Sequence, residues 1–232
     1  ESGILDAGIT GHDWVKENDA KVLELTELQY AKATLNKVRW VLAAKKDGPI
    51  SSVKDLEGKT VATEVVNLAT SYLQKKGVQA KVEYSYGATE VKVPHLADAV
   101  IEITETGSSL RANNLEIIDT VLETSTVFIA NQKSYNDSWK KDKVERLIML
   151  LQGALEARTW VGFMFNIKRR QLKEAIAALP AEKVPTISQL VDEQWVDVFV
   201  ALRQSVVRDL IPELKAVGAK GIVEFPLSKY ID

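Results

Sequence analysis

Between residues 60 and 116 the chain alternates short β-branched runs with helix-like stretches of about ten residues, a rhythm that few folds accept. Thr60 to Val65 reads as a strand. Asn67 to Gly77 reads as a helix with Lys75 and Lys76 in its last turn, where cations suit the helix dipole. Lys81 to Tyr86 reads as the next strand, ended by Gly87. Such alternation argues for a parallel-rich sheet with helices on its faces. Upstream, Ile4–Thr10, Lys21–Gln29 and Lys37–Ala43 read as strands, and Ser51 or Ser52 caps a short helix through Leu56. Downstream, Val121–Ile129 reads as strand and 132–140 as an exposed connection. Lys141 to Thr159 reads as a helix with Val144, Leu147, Ile148, Leu151 and Leu155 on one stripe.

The chemistry concentrates in Glu102-Ile103-Thr104-Glu105-Thr106-Gly107-Ser108-Ser109-Leu110-Arg111. The apolar run Leu96–Ile101 before it reads as a buried strand, and a helix is predicted to begin at Leu110. Thr106, Gly107, Ser108 and Ser109 then form a tight strand-to-helix turn. Such a turn aims unpaired backbone N–H groups at one point, which makes a phosphate cradle, and Arg111 adds positive charge. Glu102 and Glu105 would repel a bare phosphate. They make sense beside a sugar phosphate, accepting hydrogen bonds from its diol or helping to hold Mg²⁺. The turn chemistry serves equally as a Ser/Thr helix cap with solvated acids.

Weaker candidates lie at other strand ends. Thr10-Gly11-His12-Asp13 is a second ligand loop or an ordinary strand-to-helix turn, with His12 a loop or cap residue. Thr63 and Glu64 either contact a base or ribose or simply end a strand. Glu90 supports a helix start or the substrate, without a catalytic assignment.

Composition narrows the classes. The formal net charge is −2 over 232 residues, so no global field favours nucleic acid or an anionic membrane. The chain has no cysteine and only two histidines, which removes thiol chemistry and any histidine-rich metal site, and the cysteine count fits a cytoplasmic protein. No apolar run is long enough to span a bilayer, and the opening residues lack the basic region and apolar stretch expected of a signal peptide. The opening at Ile4 reads as the middle of an α/β domain, with no helix or strand before it.

The last third follows its own order: strand from Trp160, helix Arg169–Leu179, strand Pro185–Leu190, strand Trp195–Leu202, helix Val206–Val217, strand Gly221–Leu227. That β-α-β-β-α-β order is ferredoxin-like.

Gly87-Ala88-Thr89-Glu90, Leu96-Ala97-Asp98-Ala99 and Glu102 through Leu110 resemble the signature of ATP phosphoribosyltransferases, with Glu102 where that family often has Asp and Ser109 where it often has Thr. Leu179-Pro180, Pro185-Thr186, Gln194-Trp195-Val196 and Gly218-Ala219-Lys220 resemble the C-terminal domain of its long form. The resemblance implies a two-lobed, periplasmic-binding-protein-like (type II) α/β catalytic part plus a ferredoxin-like regulatory domain. Its boundaries are expected at 1–40 with 117–158 for lobe I, 41–116 for lobe II and 159–232 for the regulatory domain. It implies transfer of phosphoribosyl from phosphoribosyl pyrophosphate to N1 of ATP, with release of pyrophosphate, Mg²⁺ as cofactor and histidine as feedback inhibitor. The implied substrate contacts are Glu102, Glu105, Thr106, Gly107, Ser108, Ser109 and Leu110, with Thr10, Gly11, Asp13, Thr63 and Glu64. The implied effector contacts are Asn166, Thr186 and Ser188. No residue is assigned as acid or base, the metal ligands stay open, and a homo-oligomer from dimer to hexamer is expected. The rival reading is a non-catalytic two-lobed protein that binds a small anion.

Overall fold

The computed structural model describes residues 1–28, 38–181 and 184–231. The ends of two predicted strands, Gln29 and Lys37, lie outside the described residues. The chain divides into two units, Glu1–Glu145 and Arg146–Asp232, with the division falling inside one long helix. Among the described residues no helix is long and apolar enough to cross a membrane.

The first unit holds two sheets. The smaller has three antiparallel strands in the order β1-β8-β2, with β1 Ala7–Gly11, β2 Leu23–Leu28 and β8 Thr126–Ala130. Helix α1, His12–Glu17, leaves the end of β1 directly. The larger sheet has the order β5-β4-β6-β3-β7, with β3 Val38–Lys45, β4 Thr60–Thr63, β5 Lys81–Tyr84, β6 Ala99–Thr104 and β7 Leu115–Thr124. Strand β4 runs parallel to β5 and β6, whereas β3 runs antiparallel to β6 and β7. The sheet is therefore mixed rather than parallel-rich.

Strand β3 shows why this sheet is the core of its lobe. Val41, Leu42 and Ala43 are all fully buried, so both faces are covered and the strand reads as a continuous apolar run. Trp40, Leu42 and Ala44 join one apolar cluster, while Val41 and Ala43 join another with Val100 and Leu110. Helix α2, Val66–Lys76, lies on the first of these faces through Ala69, Tyr72 and Leu73, and Gly77 closes it in the left-handed conformation.

Two boundaries differ from the sequence reading. Residues 117–124, assigned to lobe I, pair along β3 and belong to the larger sheet, as do Val38–Trp40. The β-branched Thr124 and Thr126 flank Ser125 and continue the strand-like composition, which hid the break between β7 and β8. Residues 132–140, expected as an exposed connection, are largely exposed and contain helix α4, Gln132–Asn136, and the start of α5, Ser138–Glu156. The Asn131 side chain caps α4 by accepting from the backbone N–H groups of Lys133 and Ser134.

The second unit is ferredoxin-like. Its elements are β9 Trp160–Lys168, α6 Leu172–Ala178, β10 Thr186–Gln189, β11 Trp195–Arg203, α7 Gln204–Val217 and β12 Lys220–Pro226. The strands order as β10-β11-β9-β12, all antiparallel. Alternation is strict: Phe163, Phe165, Ile167, Val196, Val198 and Val200 pack with α6 and α7, and the residues between them face the other way.

Candidate functional site

The strand-to-helix turn after β6 is the centre of the site. Strand β6 runs through Thr104, so Glu102 and Ile103 lie on the strand rather than in the turn, and helix α3, Ser108–Ala112, begins two residues before Leu110. Gly107 occupies the N-cap with φ of +74°, and no side chain caps the helix. The Ser/Thr cap that was the alternative reading of the turn is not formed. The Gly107 N–H is taken by the Thr104 hydroxyl at 2.7 Å. The N–H groups of Ser108, Ser109 and Leu110 have no acceptor within the helix, as for the first turn of any helix.

The surroundings brace that turn. Arg111 folds back and donates from Nη1 to the Thr106 carbonyl at 2.9 Å. Thr106 and Ser108 share a hydroxyl hydrogen bond at 3.2 Å, and both are exposed with Ser109. Leu110 is buried at 1% exposure against Val41, Val93 and Val100, so its side chain anchors the turn. Glu105 is half-buried beside the turn.

Glu102 is the electrostatic focus. Burial pushes its carboxyl above the ordinary range, and the charges of Glu64 and Glu90 push it further, while hydrogen bonds from the Ile103 N–H and the Thr89 hydroxyl pull the other way. The structure thus brings Glu64, just after β4, and Glu90, in a short 3-10 turn, within electrostatic reach of Glu102 on β6. Ser85 and Thr89 are buried beneath them, with Lys92 Nζ 2.5 Å from the Ser85 hydroxyl. Sequence reading quoted Thr89 only as part of the Gly87–Glu90 motif and missed Ser85 and Lys92, which lie outside that motif.

Two predicted contacts have other duties. Thr63 is fully buried, and its hydroxyl accepts from the Val65 N–H at 3.2 Å. Asp13 is 2% exposed, with one carboxylate oxygen accepting from Trp40 Nε1 at 2.6 Å and the other from the Thr124 hydroxyl at 3.0 Å. Both side chains are internal ties. Thr10 lies in β1 opposite Val127, and Gly11 is the N-cap of α1, where a β-carbon would fall 2.0 Å from the Asp13 carboxylate.

In the second unit the sheet register aligns the candidate effector residues. Ser188 pairs with Asp197, and Asp197 with Asn166, giving one row across β10, β11 and β9 on the face without helices. Thr186 stands in the next row, opposite Phe199 and Met164. Gly221 lies under Asn166, where a β-carbon would be 3.1 Å from its amide nitrogen. Asp197 was not singled out by the sequence; burial raises its carboxyl above the ordinary range.

The family model described as ATP phosphoribosyltransferase matches residues 1–153, and the one described as HisG, C-terminal domain, matches residues 157–229. The chain is 54% identical over 232 residues to the ATP phosphoribosyltransferase of Chlorobium phaeobacteroides, covering all of this chain and 79% of that one. It is 55% identical over 229 residues to that of Pelotomaculum thermopropionicum, covering 99% of this chain and 79% of the relative. A solved ATP phosphoribosyl transferase (HisG:HisZ) complex from Thermotoga maritima superposes with a TM-score of 0.57 at 30% identity, over 66% of this chain and 72% of that one. These relatives favour the transferase over the solute-binding alternative. The chain belongs to the ATP phosphoribosyltransferase family, the enzymes that open histidine biosynthesis.

Proposed function

We propose that the turn from Thr106 to Leu110 seats the 5′-phosphate of phosphoribosyl pyrophosphate, and that Glu102 accepts from its ribose hydroxyls. The observation that carries this reading is the uncapped start of α3, with Gly107 at the N-cap and exposed hydroxyls on both sides. Phosphate oxygens supply the acceptors that the Ser108, Ser109 and Leu110 amides lack. Glu102, desolvated and crowded by like charge, gains from hydroxyl donors that a bare phosphate cannot offer.

In the reaction N1 of the ATP adenine forms a bond to C1 of the ribose as the bond from C1 to pyrophosphate breaks. The pyrophosphate leaves with the electron pair. N1 carries a lone pair and needs no base to attack, so the protein's part is to position the two substrates and to stabilise charge. Among the described residues no three His, Asp or Glu side chains are placed to hold a metal. Mg²⁺ beside substrate phosphates takes only one or two carboxylates, so Glu102 or Glu105 would hold it together with the pyrophosphate, where it would neutralise charge on the leaving group.

For the second unit, the row Ser188–Asp197–Asn166, with Thr186 beside it, supports a histidine effector site. A carboxylate, an amide and hydroxyls suit the ammonium, carboxylate and imidazole of an amino acid. Isothermal titration of phosphoribosyl pyrophosphate into Glu102→Ala tests the catalytic assignment. Loss of binding with an unchanged circular dichroism spectrum supports it, and unchanged affinity overturns it.

A further inference from the structure

We propose that α1 is a clasp that fixes the angle between the two sheets of the first unit, with Asp13 and Glu17 as its positioning residues. The two carboxylates are one helical turn apart and so share a face of α1. Asp13 is 2% exposed and Glu17 8%, which is unusual for acids and requires that their oxygens be satisfied. Their partners Trp40, Thr124, Asn67 and Leu68 lie in the larger-sheet lobe, although α1 springs from the smaller sheet.

Asp13 reaches β3 and β7. Trp40 Nε1 donates to it at 2.6 Å and the Thr124 hydroxyl at 3.0 Å, while the Asp13 N–H donates back to that hydroxyl at 3.0 Å. Glu17 reaches α2. One of its oxygens accepts from the Asn67 N–H at 3.0 Å and the other from the Leu68 N–H at 2.8 Å. The Asn67 side-chain amide donates to the Glu17 carbonyl at 2.9 Å. Helix α2 has no side-chain cap and no acid in its own first turn, so Glu17 acts as its cap from the other lobe. Charge-assisted bonds to backbone amides in a buried place are strong, and breaking one side leaves the other unsatisfied.

The geometry has a consequence for the site. The turn that begins α2 carries Glu64, whose charge acts on Glu102. Opening the lobes would pull Glu17 off α2 and shift that turn. The clasp therefore holds the cleft in one orientation before substrate arrives. Its role in positioning substrate rests on the phosphoribosyl pyrophosphate reading; its mechanical role does not.

The chain has no cysteine, so Lys54→Cys and Lys133→Cys, both exposed and in different lobes, give a clean pair for spin labels. Pulsed electron spin resonance on the full chain then reads the interlobe distance. A single narrow distribution without substrate is expected, broadening in Glu17→Ala. Kinetics of the unlabelled Glu17→Ala protein should show KM for phosphoribosyl pyrophosphate raised about tenfold with kcat within about twofold. If Glu17→Ala does not fold, Asn67→Ala and Trp40→Phe, which each remove one donor, should broaden the distribution to a lesser degree. A distribution that is broad in the parent, or equally narrow in the variants, refutes the clasp. A broadened distribution with unchanged KM refutes the positioning role. The distances without ligand do not depend on where phosphate binds, so failure of the clasp and failure of the phosphate assignment are separable.

Discussion

The Arg111 guanidinium nitrogen Nη1 stands 2.9 Å from the point where a β-carbon on Gly107 would begin, with Ile117 Cδ1 at 3.4 Å. At φ of +74° a side chain is also strained, by about 1–2 kcal/mol. Gly107→Ala should therefore dislodge Arg111 from the Thr106 carbonyl and tilt the turn, while the buried Leu110 keeps the rest of the fold. Calorimetry should show phosphoribosyl pyrophosphate affinity down by more than about tenfold, with a thermal midpoint lowered only a few degrees. Wild-type affinity would contradict this.

Glu102 should trade stability for function. Its carboxyl is held above the ordinary range, chiefly by burial, so the folded state prefers the proton. The contribution from protonated Glu102 is complete below the unfolded glutamate range, about 4, and is lost as pH rises through the raised folded value. Glu102→Gln, neutral throughout, should melt higher than the parent near neutral pH and with little difference near pH 4. Its substrate affinity should fall. Melting curves across that range check the sign; a variant less stable at neutral pH than at acid pH, relative to the parent, would refute the assignment.

Leu110→Ala should destabilise the first unit by about 2–5 kcal/mol, because a fully buried leucine is removed from a packed face of the larger sheet. Urea unfolding measures the loss. The proposed phosphate site uses the Leu110 amide and not its side chain, so the folded fraction of the variant should still bind substrate, within about fivefold of the parent affinity.

In the second unit, Asp197→Asn should weaken histidine inhibition while leaving kcat without histidine unchanged. The register places Asp197 between Ser188 and Asn166, and its raised carboxyl shows a desolvated acid that a cationic ligand would favour. Inhibition curves at several histidine concentrations test it; an unshifted midpoint would remove Asp197 from the effector site.

Much of this was legible in the chain. Gly107 flanked by hydroxyls announced a turn, and the alternation in β9 and β11 announced the ferredoxin-like sheet, because both are local patterns. The ties were not legible. Asp13 looked like a loop acid because its partners Trp40 and Thr124 are 27 and 111 residues away. Glu17 gave no signal beyond its spacing of four from Asp13. Thr63 looked available at a strand end, yet its hydroxyl closes its own turn. The break at Ser125 was hidden because both flanking segments are strands, and only pairing tells which sheet each joins.

The most direct test is a crystal structure of the full chain with phosphoribosyl pyrophosphate bound. The account predicts the 5′-phosphate within about 3 Å of the Ser108, Ser109 and Leu110 amide nitrogens, with ribose hydroxyls on Glu102. A phosphate bound elsewhere, with those three amides facing only water, would contradict it.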